Sequence, residues 1–231
     1  MRVNWAHLSN NELLIRVLSA LVLIPIVLVS IFKGGYYFTS LLIITALLMF
    51  KEWTNMVSSS SSKHFIKWHL VGIFYIGIPI AAFYFIRELR DGEWWLFWIF
   101  LMVWSMDIGG YFVGKSVGGP KLFQKISPKK TWSGLIGGIG FAIFVNLYIF
   151  HIVSFILNLE MPIPHPFWWA AAIVALCSQM GDLLESAFKR YFGVKDTGTL
   201  IPGHGGVLDR LDGLLIVAPL MAIWFIYAGQ Y

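Results

Sequence analysis

Between Ser186 and Asp212 the chain reads SAFKRYFGVKDTGTLIPGHGGVLDRLD, a stretch with four basic residues, three carboxylates, one histidine and five glycines. These residue types suit the handling of phosphate. Lysine and arginine offset negative charge, carboxylates supply the hard oxygen ligands that Mg²⁺ takes together with water and substrate phosphates, and glycines let backbone N–H groups converge on an anion. The GHGG turn at 203–206 is flanked by Lys189, Arg190 and Lys195 on one side and Arg210 on the other. That arrangement fits a triphosphate, which needs both cations and close backbone approach.

Helical spacing adds geometry to this inventory. Asp182, Glu185, Ser186 and Lys189 fall three, four and seven positions apart and so share one helix face. A carboxylate turned to lipid would be protonated or excluded, which directs the stripe into the protein. The same spacing also fits a structural ion pair of Asp182 or Glu185 with Lys189. Asp209 and Asp212 open the last apolar run at three-residue spacing. The helix dipole accounts for either acid alone, whereas the pair suits a divalent cation. A second cluster lies upstream, where Asp107, Tyr111 and Gly114 share a face and the chain continues KSVGGPKLFQKISPKKT. Asp107 also fits a bland role, buried and hydrogen-bonded to a neighbouring helix. Residues 127–131 read as a short polar turn feeding GLIGGIG, whose small residues permit close helix contact.

The elements that position these groups are membrane spans. Mean hydropathy is +0.74 and charged residues make up 13% of the chain, against about 25% in soluble domains. Apolar runs at 13–32, 65–86, 94–112, 134–157, 167–188 and 211–228 are long enough to span hydrocarbon, and a marginal one covers 36–50. An all-α transmembrane bundle of about seven spans is predicted, six to nine being compatible with half-helices around a polar site. With seven spans and the N-terminus inside, fourteen lysines and arginines fall inside, and only Lys33, Arg87 and Arg90 fall outside. Omitting the marginal span puts the Lys51 loop outside and scrambles this pattern.

The first apolar run reads as a retained helix, being long and lacking a small-residue cleavage site. The serine run at 58–62 reads as a linker, and 161–169, with three prolines, His165 and tryptophans, as an outside turn. Cys177, the single cysteine, allows neither an internal disulfide nor a multi-cysteine metal site. One integral-membrane domain, 1–231, is expected, with N-terminal spans at 1–93 and a catalytic half at 94–231.

These residues carry a resemblance. Ser186, Lys189-Arg190, Lys195-Asp196, Gly198, Pro202, His204-Gly205-Gly206, Asp209-Arg210 and Asp212 stand at the spacing of the phosphatidate cytidylyltransferases, or CDP-diacylglycerol synthases. Upstream, Asp107, Gly110-Tyr111, Gly114-Lys115, Gly118 and SPKKTW at 127–132 are similar to the same family. Ser133 departs from it, since members often carry Glu or Gln there, and it is assigned no role. The resemblance implies transfer of a cytidylyl group from CTP to phosphatidic acid with release of pyrophosphate. It further implies Mg²⁺ between Asp182 and Asp209 with a monovalent cation such as K⁺ nearby, while Glu185, on the helix stripe with Asp182, is a further candidate ligand by its spacing. Asp182, Asp209, Lys189 and Arg190 are then the expected catalytic residues. Asp107, Lys115, Ser127, Lys130, Thr131, Ser186, Lys195, Asp196, His204, Gly205, Gly206, Arg210 and Asp212 are expected to bind substrate.

The implied partners are CTP, phosphatidic acid and membrane lipid, with a homodimer compatible and no nucleic acid. A bacterial inner membrane with the site facing the cytoplasm is the expected setting. Two rivals remain: a CTP-dependent polyprenol or phytol kinase, and a cation-coupled transporter built on Asp107, Asp182 and Glu185.

Overall fold

Backbone polar groups in hydrocarbon must be satisfied within the segment that carries them, which favours helices. In the computed structural model of this chain the apolar runs take that form. The structure describes residues 10–59, 64–149, 152, 155–156 and 168–229. Most of the serine run, residues 161–167 of the expected turn with His165, and most of the end of the fifth expected span at 150–157 lie outside the described residues, while Trp168 and Trp169 open a helix.

Among the described residues seven α-helices follow in order: α1 (Asn10–Lys33), α2 (Gly35–Ser58), α3 (Phe65–Glu88), α4 (Gly92–Val117), α5 (Trp132–Phe144), α6 (Trp168–Tyr191) and α7 (Leu208–Tyr227). All but α5 are long and apolar enough to cross a membrane. A π-helical turn, Val145–Ile149, extends α5, giving a shorter apolar stretch from Trp132 to Tyr148. The expected bundle is therefore observed. The run that looked marginal at 36–50 is a helix of 24 residues. Lys51 and Glu52 end its hydropathy signal, but the helix continues because Glu52 is buried and paired within the protein.

Residues 121–131 differ from the expected polar turn. Lys121–Phe123 (β1) and Ser127–Thr131 (β2) form a two-stranded antiparallel hairpin, with Lys121 opposite Thr131. The hairpin runs straight into α5, where the Thr131 side chain caps the helix by accepting from Gly134 N at 3.1 Å.

Helix pairs approach closely where small residues face each other. A Cβ on Gly134 would stand 2.9 Å from the Gly110 carbonyl oxygen and 3.3 Å from Gly114 Cα, so α4 and α5 touch at their backbones. Between α6 and α7, a Cβ on Gly181 would collide with the Asp212 carbonyl, and one on Gly213 with the Ser178 hydroxyl. This crossing brings Asp182 and Asp212 together. Overpacking such a contact costs about 1–3 kcal/mol. Gly181→Ala is therefore expected to lower the unfolding midpoint in detergent, read by thermal denaturation, and to weaken any activity that depends on the neighbouring acids.

Two apolar clusters hold the bundle. One centres on Trp95, Trp98 and Phe225 and joins α3, α4, α6 and α7. The Trp98 indole is buried and donates to Asn146 Oδ1 at 2.7 Å in the π turn. The other packs Trp53 of α2 edge-on against Phe188 of α6, 5.2 Å between ring centroids. The Trp53 indole donates to the Trp68 carbonyl at 2.9 Å, which satisfies its one polar atom.

Alternation of these helices gathers one set of ends on one face. Ser19 near the start of α1 meets the 202–204 loop, Glu52 near the end of α2 meets the start of α7, and Arg190 near the end of α6 donates to Ile126 O of the hairpin. Arg87, paired with Glu93 and hydrogen-bonded to the Ile31 carbonyl, marks the opposite face.

Candidate active site

The predicted residues gather on that common face in two adjoining parts. The first is a cavity of about 480 Å³ between α4, the hairpin, α5 and α6. Its size lies within the range of small-molecule sites, about 300–1,000 Å³. Asp107 and Lys115 of α4, Lys130 and Thr131 of the hairpin and Asp182 of α6 line it. Lys121 and Lys129 add two further cations. Gln179, one turn before Asp182, also lines it, with a buried amide nitrogen that lacks a hydrogen-bond partner. Lys130 forms an ion pair with Asp182 Oδ2, and the Ser186 hydroxyl donates to Asp182 Oδ1 at 3.3 Å. Ser127 sits at the start of β2, half-buried and outside the cavity lining.

The second part is an ionic network where α6 ends and α7 begins. Lys189 Nζ lies 3.0 Å from Glu185 Oε2 and 2.7 Å from Asp209 Oδ1. The other oxygen of Asp209 accepts from Thr197 N at 3.0 Å, Thr197 Oγ1 at 2.9 Å and Gly206 N at 2.9 Å. Asp182 and Asp209 are thus each held by a lysine from the protein itself. Asp212 lies within electrostatic reach of Asp182, Glu185 and Asp107, and Asp107 within reach of Asp182 and Lys130. The stripe of Asp182, Glu185, Ser186 and Lys189 on one helix face is observed. Glu185 pairs with Lys189, as the ion-pair reading expects, whereas Asp182 pairs with Lys130, and Lys189 also links Glu185 to an acid of another helix.

In the loop between these helices, Gly203 and Gly205 hold φ of 74° and 86°, left-handed backbone that favours glycine. This bend lets the N–H of Gly206 meet Asp209, while those of Val207 and Leu208 meet Glu52 at 2.9 and 2.8 Å. Backbone donors at the end of the glycine turn therefore converge on anions, as glycine-rich turns allow, and these anions are carboxylates of the chain. Glu52 and Thr197 were not singled out in the sequence. An acid inside an apolar run is itself a signal, but the marginal hydropathy of 36–50 hid that Glu52 belongs to a span.

The remaining predicted cations are more open. Arg190, Lys195 and Arg210 are exposed, as is Asp196, and Arg210 Nε donates to the His204 carbonyl at 2.8 Å. His204 Nδ1 pairs with the Ser19 hydroxyl at 2.8 Å, joining the loop to α1. Burial, and then the Arg210 charge, hold this imidazole below its ordinary pKa. A histidine so depressed favours the fold above its unfolded pKa of about 6.5 and loses that contribution as pH falls below it. Acidification from about pH 7.5 to about pH 5.5 is therefore expected to lower the unfolding midpoint more in wild type than in His204→Gln. Paired thermal melts at the two pH values check this.

The donor chemistry fits a hard divalent cation. Mg²⁺ takes one or two carboxylates and fills its shell with water and phosphate, and Asp182 offers a carboxylate at the cavity wall. Among the described residues no group of three or more acids, histidines or cysteines is close enough to hold a metal unaided. Glu185, fully buried, keeps one oxygen without a hydrogen-bond partner.

The profile of the cytidylyltransferase family matches residues 14–75 and 61–228. A phosphatidate cytidylyltransferase of Rickettsia bellii is 41% identical, the match covering 96% of this chain and 94% of that protein. Those of Rickettsia felis and Brucella suis are 36% and 33% identical, each over 93% of this chain. With a profile match along nearly its whole length, relatives of near-equal extent, and a lysine-lined, acid-walled cavity at the ends of its membrane helices, the chain belongs to the cytidylyltransferase family.

Proposed function

We propose that the protein transfers the cytidylyl group of CTP to phosphatidic acid, giving CDP-diacylglycerol and pyrophosphate. The observation that carries this reading, beside the relatives' names, is the cavity lined by four lysines, three of them on the hairpin, and by one carboxylate from each of the membrane-spanning helices α4 and α6. A nucleotide from water and a phosphate on a lipid can meet there. An oxygen of the phosphatidate phosphate attacks the α-phosphorus of CTP, a new P–O bond forms, and the α–β bridging bond breaks to release pyrophosphate. The attacking oxygen is already ionised near neutral pH, so positioning and charge neutralisation dominate, as in other phosphoryl transfers.

The roles of individual residues follow from their places. Lys115, Lys121, Lys129 and Lys130 offset phosphate charge inside the cavity. Arg190, Lys195 and Arg210, exposed beside the glycine loop, attract the nucleotide and offset charge on the leaving pyrophosphate. Asp182 and Asp209 are proposed to hold Mg²⁺, with Glu185 as a further ligand. The ion would supply Lewis-acid stabilisation of charge on the transferred phosphate. Lys189, which holds Asp209 Oδ1 at 2.7 Å, would have to yield that oxygen for a metal to bind there, and this would link the ion pair to metal binding. Lys189 thereby sets the free charge at the metal site.

The excess of lysine and arginine on the site's face supports a cytoplasmic orientation, and the bacterial relatives support a bacterial inner membrane. The test is an assay of purified protein with CTP and phosphatidate, with and without Mg²⁺. Cytidine-ring label is expected to enter lipid only when Mg²⁺ is present. Entry of γ-phosphate label alone would identify a lipid kinase instead. Cation flux across proteoliposomes without any CTP-dependent product would identify a transporter.

A further inference from the structure

Glu52 has no place in the mechanism above, yet it is 2% exposed and lies in the N-terminal part of the chain. A carboxylate buried in a membrane protein is costly unless it is paired or hydrogen-bonded. Its two oxygens accept from Val207 N and Leu208 N, which open α7. The positive end of the helix dipole stabilises its charge there. Thr197 Oγ1 lies 3.5 Å from Glu52 Oε2 and gives its better bond, 2.9 Å, to Asp209 Oδ2. Gly206 fits only because it lacks a side chain, since a Cβ there would meet both the Thr197 hydroxyl and the Glu52 carboxylate. Three successive N–H groups, of residues 206 to 208, are thus divided between Asp209 and Glu52.

We infer that Glu52, acting with Thr197, positions Asp209 for cytidylyl transfer. Glu52 fixes the backbone on which Asp209 stands, and Thr197 occupies Oδ2. The carboxylate is left with Oδ1 as its one oxygen for a cation, either Lys189 or the metal. A glutamine at position 52 keeps the shape but replaces one acceptor with an N–H₂ group facing a backbone N–H. The start of α7 must then shift, and Asp209 with it.

The inference rests on Asp209 acting in the reaction, so Asp209→Asn is the reference variant. Purified Glu52→Gln and Thr197→Val are expected to lose about 10- to 100-fold in kcat per folded molecule, the scale seen when a partner orienting a metal ligand is removed. KM for CTP and for phosphatidate should change little. Thr197→Ser, which keeps the hydroxyl, should restore most of the rate. The Glu52→Gln/Thr197→Val double variant should be no slower than the slower single one, because both act through Asp209. Wild-type kcat in folded Glu52→Gln and Thr197→Val, with only a lower unfolding midpoint, would overturn the inference, as would fully additive losses. If Glu52→Gln does not fold, the contrast of Thr197→Val with Thr197→Ser decides. Full activity in Asp209→Asn would instead remove the site reading itself.

Discussion

Asp182→Asn should reduce cytidylyl transfer by at least about 10²- to 10³-fold, the cost of removing one preorganised electrostatic group from a phosphoryl or acyl transfer site. Asparagine keeps the size of aspartate and still accepts from Ser186. It loses the charge that holds Lys130 at the cavity wall and that is proposed to hold Mg²⁺. Stability should respond differently. Asp212 and Asp107 stand within electrostatic reach of Asp182, so removing one of these like charges relieves repulsion while loosening one lysine. The unfolding midpoint is expected to stay the same or rise as activity disappears, which is the signature of a functional and not a structural acid. Initial rates with labelled CTP and thermal melts on one preparation provide both readings. A variant with wild-type turnover would remove Asp182 from the site.

Lys189→Met should do the reverse and fail chiefly as a folded protein. Lys189 is the shared counter-ion of Glu185 and Asp209, whose side chains are 0% and 7% exposed. Deleting one partner of a buried ionic group leaves uncompensated charge and costs about 3–5 kcal/mol. Here a single methionine strands two carboxylates. The expected result is a large fall in the unfolding midpoint and in the yield of monodisperse protein in detergent. Neutralising one stranded acid in Lys189→Met/Glu185→Gln should restore a good part of that stability without restoring transfer. An unchanged midpoint in Lys189→Met would mean that water or another cation reaches these acids, and the counter-ion role would fall.

The two variants separate because the predicted site contains two kinds of acid. Asp182 faces a cavity and is held by a lysine that also lines it. Asp209 is enclosed by four hydrogen-bond donors and is the anchor of the glycine loop. The sequence presented them as equivalent, each a carboxylate on a helix beside basic residues. Their difference lies in what surrounds them.

Much of the architecture was local enough to be read from the chain. Spans follow from hydropathy over about twenty residues, and the stripe from Asp182 to Lys189 follows from the 3.6-residue period. The alternation of lysines and arginines placed both polar loops on one side, where the structure brings them together. The glycines of GLIGGIG announced a close helix contact, and Gly134 makes one against α4. Residues 127–131 were misread because a hairpin of so few residues carries no periodicity to distinguish it from a turn.

Partnerships across the chain were a different matter. Glu52 meets Val207 and Leu208 across 155 and 156 positions, and Ser19 meets His204 across 185. No local pattern encodes such a pair, because each side chain satisfies only its own helix rule until packing fixes which faces meet. The sequence alone determined a membrane bundle with phosphate-handling residues at one set of helix ends. Only the tertiary structure decided which acid faces the cavity, which one also anchors the loop through one of its oxygens, and that an acid from the second helix completes it. In a low-dielectric interior every buried charge needs a specific partner, and that partner is chosen by helix packing.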